Sequence, residues 1–583
     1  MRSFNFKLLT LLFALLVAAS MLVACKPEGD NGPEQTTDAT TTEAPEQEIQ
    51  LFSKSGYSFK IVKPAKPVDD EESASRKLRS AFSNITEDYP KVITDAASKE
   101  DTSAYFIHIG YTDDADVQAF YSELGYGDAG IKVVGNKIIV AAYTYEGYDK
   151  MITSLGEVLS ENFKDGAIKV LSSEISKVKT INKTLNNFPA IDGCTRFSYA
   201  DCGLSQSLVI VEDGTPEKFK EYVKKYEADY TLVSSVEDAG NLFNTYTKGN
   251  DLYNVSYSKG DDCIRIIINN NTKPTKYFEK TEAKTVTTPL VNMIGLAWGT
   301  EDYAKDYQLG LSMVFRLGDG TFIVVDGGFN RQQDAYTVLQ FIRNNTPEGM
   351  KPTISAWFMT HAHPDHHNMF AKQFVNNYKH LVDIKALIFN PPSLAINNSE
   401  NDAGNKEGGE YQTIINVAKG IDGCEVIRAH VGDRYYIGDA VIDMLYTVDY
   451  QYPTSFTYYN TCSMIFRVEL GGQKIMVTGD GANSSFSKIA KMYGETLKCD
   501  FVQVAHHGYT TGVSDGSATA IIEAYKYMSP TVVLYPNGEP GYKETIGRVF
   551  NSYLVSMPSV REVCIAGAVQ NIFELPYTPK KAG

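Results

Sequence analysis

Cysteine is sparse in this 583-residue chain, and none of its 8 cysteines forms a Cys-x-x-Cys pair. That excludes a zinc ribbon, and the odd number left beyond Cys25 argues against a disulfide framework. Only Cys194 and Cys202 lie close in sequence, and Cys462 and Cys499 sit in apolar, strand-like surroundings that read as core. Positive charge is also short. The net charge is −16, and residues 284–583 hold 24 Lys and Arg against 29 Asp and Glu. No basic patch surrounds the histidine clusters, which disfavours a general nucleic-acid binder, because phosphate-backbone affinity needs clustered Lys and Arg. No internal repeat or coiled-coil period stands out. Neither a serine nucleophile elbow nor a Gly-x-x-x-x-Gly-Lys loop lies near those clusters, which excludes two common routes to hydrolysis and phosphate handling.

What is present is enough apolar material for proper cores, at 43% hydrophobic residues, over a length that allows about three or four units. The chain opens with Arg2 and Lys7, followed by an apolar run from Leu8 to Val23. That run is short of the roughly 20 residues a spanning helix needs. It ends in Leu22-Val23-Ala24-Cys25, and small residues before a cleavage point mark a signal peptide. A cysteine directly after Leu-Val-Ala resembles the lipobox of bacterial lipoproteins. The resemblance implies cleavage before Cys25, lipidation of its thiol, and an extracytoplasmic position anchored to the cell membrane. Lys26 to Gln50 is rich in Glu, Thr, Pro, Asp and Gly and cannot form a core, so it reads as a flexible tether.

Two small α/β units are expected next, over 51–168 and 169–283. In the first, a strand at Tyr57–Val62 leads to a helix with Ala74, Leu78, Ala81, Phe82 and Ile85 on one face. A strand at Tyr105–Ile109, a hairpin around Gly135-Asn136 and a helix carrying Met151, Ile152, Leu155, Val158 and Leu159 complete it. This order, with the phrase from Ile131 to Val140, weakly resembles the small N-terminal domain of some glycoside hydrolases. In the second unit, Pro216 opens a helix with Phe219, Tyr222, Val223 and Tyr226 on one face, and Cys263–Ile268 is an apolar strand. The many tyrosines of this half read as half-buried packing rather than a carbohydrate surface.

The densest chemistry is Thr360-His361-Ala362-His363-Pro364-Asp365-His366-His367. His361 and His363 alternate, as two side chains on one side of an extended segment do. Pro364 then helps set a turn that delivers Asp365 and His366. Buried imidazoles and carboxylates need partners, and this spacing can place two imidazoles on one metal and a carboxylate with an imidazole on a second. Three short apolar strands bring further candidates to their C-terminal ends: Thr321–Val325 before Asp326-Gly327-Gly328, Ile475–Thr478 before Gly479-Asp480, and Phe501–Ala505 before His506-His507-Gly508. Open α/β sheets build their sites at such ends.

These elements, in this order, resemble the metallo-β-lactamase superfamily. Asn460-Thr461-Cys462-Ser463, Thr478-Gly479-Asp480 and His506-His507-Gly508 together look most like its ComEC-type branch. The resemblance covers residues 284–583. It implies an αββα sandwich holding two metal ions, usually zinc, at one edge. By that resemblance His361 and His363 hold the first ion, Asp365, His366 and His506 hold the second, and Asp480 bridges them. Most members add one more histidine to the first ion, between the cluster and the bridging aspartate. Here that interval offers only His367, His380 and His430. His380 is expected on a helix from Phe370 to Val382, His430 precedes a hairpin at Gly432-Asp433, and the missing position falls near Asn460, a candidate substrate contact.

The chemistry follows from the residues. A divalent ion lowers the pKa of bound water from 15.7 to about 7, and two ions about 3.5–4 Å apart also stabilise charge on the substrate. Asp365 is expected to orient the attacking water, and His507 to contact substrate or steady His506. The resulting expectation is a membrane-tethered, two-zinc metallohydrolase acting as a phosphodiesterase on an envelope phosphodiester, a nucleotide or nucleic acid. ComEC-type domains are associated with DNA degradation, but an acidic chain repels a polyanion. The alternatives are acyl or lactone hydrolysis on the same metals, or a glycan-binding lipoprotein that uses the fold as a scaffold.

Overall fold

The computed structural model describes residues 46–192, 194, 196–298, 305–392, 408–452, 459–510, 518–567 and 571–580. Cys25 and the leader lie outside the described residues, as does the expected tether up to residue 45. From Glu48 onward the chain forms one compact unit. Among the described residues no helix is long and apolar enough to cross a membrane.

The stretch expected to end as a tether already pairs. Strand Glu48–Ser53 alternates its exposure, and Ile49 and Leu51 are fully buried. It lies antiparallel to Ala167–Leu171. Strand Lys177–Thr180 likewise pairs with Asp128–Val134, so this region's sheets run past the boundary expected at 168. Its six-stranded sheet sets Phe59–Lys63, Val92–Thr94, Tyr105–Ile109 and Lys137–Ala142 parallel, with helices Asp69–Thr86 and Tyr145–Glu161 against it. Four acidic residues open the first helix, where the helix dipole favours them. Glu71 Oε2 accepts the Val68 N–H at 2.9 Å, closing that end. Ala74, Leu78 and Phe82, four residues apart, form its buried stripe.

The next sheet is six-stranded and antiparallel, from Phe197–Gly203 to Cys263–Asn269. Thr215 caps helix Pro216–Glu227 through the Lys218 N–H, and Pro216 takes the first position, where no donor is needed. Phe219, Tyr222, Val223 and Tyr226 pack it onto one face. The opposite face docks on the C-terminal region through Cys202, Leu208, Ile210 and Ile267 against Val448, Tyr452 and Cys462. Tyr121, Tyr126, Tyr148, Tyr222 and Tyr226 are all fully buried, so tyrosine here fills cores.

The C-terminal region is a four-layer αββα sandwich, as expected. One inner sheet has eight strands, running from Glu425–Ile427 through Thr353–Phe358 and Phe322–Val325 to Asn571–Glu574. The other has seven, from Arg434–Ile437 through Gln473–Val477 and Phe501–Gln503 to Glu562–Ile565. The core between them includes Phe315, Phe358, Phe466, Val477 and Phe501. Phe358 and Phe466 stack across it with centroids 4.8 Å apart, a pair worth about 0.5–1.5 kcal/mol beyond area burial. Trp357, Phe370 and Phe374 pack with helix Gln332–Asn345 on one outer face. Phe486, Tyr525 and Leu554 pack with helices Asn483–Tyr493, Thr519–Met528 and Val549–Val555 on the other.

Candidate metal centre

Parallel strand ends meet at one edge of the sandwich. Phe322–Val325 delivers Asp326 and Thr353–Phe358 delivers Thr360 and His361. Gln473–Val477 delivers Asp480, Phe501–Gln503 delivers His506 and His507, and Val532–Tyr535 delivers Pro536 and Asn537. Pro364 starts a helical turn, Pro364–Asn368, that brings Asp365 and His366 back towards the strands. Gly479 is needed where the sheets close: its φ is +50°, and a Cβ there would lie 2.9 Å from Thr360 Cβ.

Two donor sets result, sharing Asp480: Asp365, His366, His507 and Asp480 in one, and His361, His363 and Asp480 in the other. In the first, His507 Nε2 lies 3.1 Å from Asp365 Oδ2, 3.3 Å from His366 Nε2 and 3.6 Å from Asp480 Oδ1. His366 Nε2 lies 3.2 Å from Asp480 Oδ1 and 3.7 Å from Asp365 Oδ2. A tetrahedral ion with bonds of about 2.0–2.2 Å holds its donors about 3.3–3.6 Å apart, so these five separations fit one ion. In the second set His361 Nε2 is 3.0 Å from His363 Nδ1 and 3.8 Å from Asp480 Oδ2, a looser arrangement.

The surrounding hydrogen bonds fix which nitrogen faces inward. His366 Nδ1 donates to Asp326 Oδ2 at 2.8 Å, and His507 Nδ1 donates to the Pro536 carbonyl at 2.8 Å. Each neutral ring therefore presents a bare Nε2 lone pair to the other, an arrangement that calls for a cation between them. Without a cation there, the buried carboxylates draw a proton onto these rings instead. Burial alone would depress His366, but Asp480, Asp365 and Asp326 outweigh it and hold it well above the usual imidazole range. Burial likewise opposes charge on His507, and Asp480 and Asp365 raise it. Burial would lift Asp480, yet His366, His507 and His506 keep it well below the carboxylate range. His361 is pushed well down by burial and by its neighbours His366 and His363. Imidazole and carboxylate donors without thiolate suit zinc, iron, manganese or cobalt, so the residues fit a metal pair.

The sequence expectation grouped His506 with Asp365 and His366. The geometry puts His507 there, touching both carboxylates, in place of the substrate contact or steadying role expected of it. The cause is local: His506 and His507 both take left-handed backbone (φ 48° and 51°), which turns the second ring inward. His506 Nε2 approaches Asp480 Oδ2 at 3.9 Å and Asn460 Nδ2 at 3.3 Å, with its side chain 24% exposed. Asn460 sits on the turn Tyr459–Cys462, against His506. His380 follows the helical segment, which stops at Tyr378, and is exposed. His430 is buried and donates through Nδ1 to Asp449 Oδ2 at 2.7 Å, away from both sets. Among the described residues, neither ring nitrogen of buried His367 has a hydrogen-bond partner, and its Nε2 lies 3.8 Å from Glu410 Oε2.

Three residues support the centre, and two of them, Gln503 and Asn537, had no role in the sequence reading. Asp326 takes the Thr360 N–H at 2.8 Å and its hydroxyl at 2.7 Å besides His366. Gln503 Oε1 takes the Thr478 N–H at 2.8 Å while its Nε2 donates to the Gly479 carbonyl at 2.9 Å, steadying the Asp480 loop. Asn537 Nδ2 donates to the His507 carbonyl at 2.9 Å. Asp326 alone left a trace in sequence, as the aspartate before Gly327-Gly328.

No family model and no curated protein matches the chain. Among solved structures, the metallo-β-lactamase fold protein YhfI from Bacillus subtilis is similar over 49% of this chain and 100% of its own, at 14% identity and a TM-score of 0.32. CmlA, a diiron β-hydroxylase from Streptomyces venezuelae, is similar over 52% of this chain and 55% of its own, at 13% identity and a TM-score of 0.29. A putative metal-dependent hydrolase from Parabacteroides distasonis covers 58% of this chain and 98% of its own, at 11% identity and a TM-score of 0.23. Overlaps this loose carry no weight beside the geometry of the centre.

Proposed function

We propose that the chain is a two-metal hydrolase of anionic esters, with phosphodiesters as its substrate class. One observation carries the substrate reading. Among the described residues, only two carboxylates, Asp365 and Asp480, stand among the donors. Two divalent ions bring twice that charge, and a net positive centre suits a phosphoryl group that spreads negative charge over several oxygens. When bound, such ions acidify water to near neutrality and offset charge developing on the substrate.

The chain's own residues do the rest. Asp326 keeps the His366 proton on Nδ1, and the Pro536 carbonyl keeps that of His507 on Nδ1, so both Nε2 atoms stay available. Asp365, its side chain 19% exposed, can orient attacking water as a hydrogen-bond acceptor. Asn460 and His506 border the approach, and Tyr509 stands beyond, its ring 6.2 Å from that of His506. Zinc is the proposed metal pair. An anchor at Cys25 is proposed with it, placing the enzyme outside the cytoplasm on envelope phosphodiesters or nucleotides, with nucleic acid disfavoured by the acidic charge. Cys25→Ala should leave the chain unprocessed or released from membranes.

The test is turnover of bis-p-nitrophenyl phosphate by metal-loaded protein, abolished by chelator and by His361→Ala. Robust lactone or ester turnover without phosphodiester activity would replace the substrate class. Inactivity on both classes, with tight glycan binding, would favour a scaffold role.

A further inference from the structure

We propose that the adjacent histidines serve different ions: His507 belongs with Asp365 and His366, and His506 is the third imidazole for the ion held by His361 and His363. The inference rests on the two-metal reading above. The two rings address opposite oxygens of one carboxylate. His507 Nε2 approaches Asp480 Oδ1 at 3.6 Å, whereas His506 Nε2 approaches Oδ2 at 3.9 Å. Oδ2 is also the oxygen that His361 Nε2 approaches, at 3.8 Å. The rings diverge, with centroids 6.3 Å apart. The His506 Nε2 faces the Asn460 amide at 3.3 Å.

The backbone supports the split. Two consecutive non-glycine residues in left-handed conformation each cost about 1–2 kcal/mol, and such strain gathers at functional sites. The two rings so held face the two oxygens of Asp480. This also accounts for the absence of a usable histidine between His366 and Asp480: His367, His380 and His430 do not reach the donor sets, and His506 fills the place from the far side.

The test counts cobalt ions. Full-length metal-free protein is titrated with Co²⁺, read by visible absorption and by metal content after desalting, with circular dichroism as the folding control. Asp365 belongs to one set only, so Asp365→Asn should leave about one ion per chain. Adding His507→Ala should leave that ion in place, because the same site is already lost. Adding His506→Ala or His506→Gln to Asp365→Asn should weaken the remaining ion by tenfold or more, the least that loss of even a supporting residue costs. The proposal is overturned if the Asp365→Asn ion survives loss of His506 at unchanged affinity, or if it is lost with His507 instead. Failure of the unsubstituted protein to bind any ion would instead sink the two-metal reading.

Discussion

Replacing Asp326 tests whether the centre depends on a residue that touches no ion. Asp326 is fully buried and accepts three hydrogen bonds, from Thr360 N, Thr360 Oγ1 and His366 Nδ1, all at 2.7–2.8 Å. Asp326→Ala strands the Thr360 and His366 N–H donors, at about 1–3 kcal/mol each, so the fold should lose roughly 2–6 kcal/mol. Asp326→Asn is the sharper perturbation. Its carbonyl can still take the Thr360 N–H, while its amide N–H₂ faces His366 Nδ1 and favours the tautomer protonated on Nε2. That places a proton where the ion belongs, and affinity for that ion should fall about 10–100-fold. Chelator competition at pH 7, with thermal melting in parallel, reads both effects. A folded Asp326→Asn protein whose two ions bind within threefold of the parent would refute the reasoning.

Other outcomes follow from the same structure. Asp443 sits between Arg434 Nε at 2.5 Å and Arg467 Nη2 at 2.7 Å, and although burial pushes its carboxyl up, the two arginines hold it below the ordinary range. A depressed carboxyl stabilises the fold above its unfolded pKa of about 3.9 and loses that contribution as pH falls through the folded value. Asp443→Asn should therefore cost about 3 kcal/mol at pH 7 in denaturant unfolding. The gap from the parent should close below pH 4, and a pH-independent gap would contradict the assignment. Gly508 has φ +86°, and a Cβ there would strike the Tyr535 hydroxyl. Gly508→Ala should displace His507, lower the melting temperature and release the ion at Asp365 first, as metal analysis of the dialysed variant would show.

What could be read from sequence, and what could not, divides along physical lines. The strands ending at Asp326, Asp480 and His506 were legible because buried parallel strands are short continuous apolar runs bounded by glycine. The His506–His507 exchange was not, because it depends on two positive φ angles that residue type does not announce. The docking of the 197–269 sheet was hidden for another reason. Gln206 pairs with Asp449 and Asn254 with Asp433, buried polar contacts between residues some two hundred positions apart. Strand Lys177–Thr180 carries mostly polar, exposed residues, so no alternation marked it.

The two-metal centre is measured most directly by the metal content of the full-length protein and of Asp480→Ala after equilibration with Zn²⁺ and desalting at neutral pH. Asp480 is the one residue common to both donor sets. About two ions per chain are expected in the parent, and loss of both, or their collapse to a weak residual, in Asp480→Ala. No ion above background in the parent, or two tightly held ions in Asp480→Ala, would contradict it.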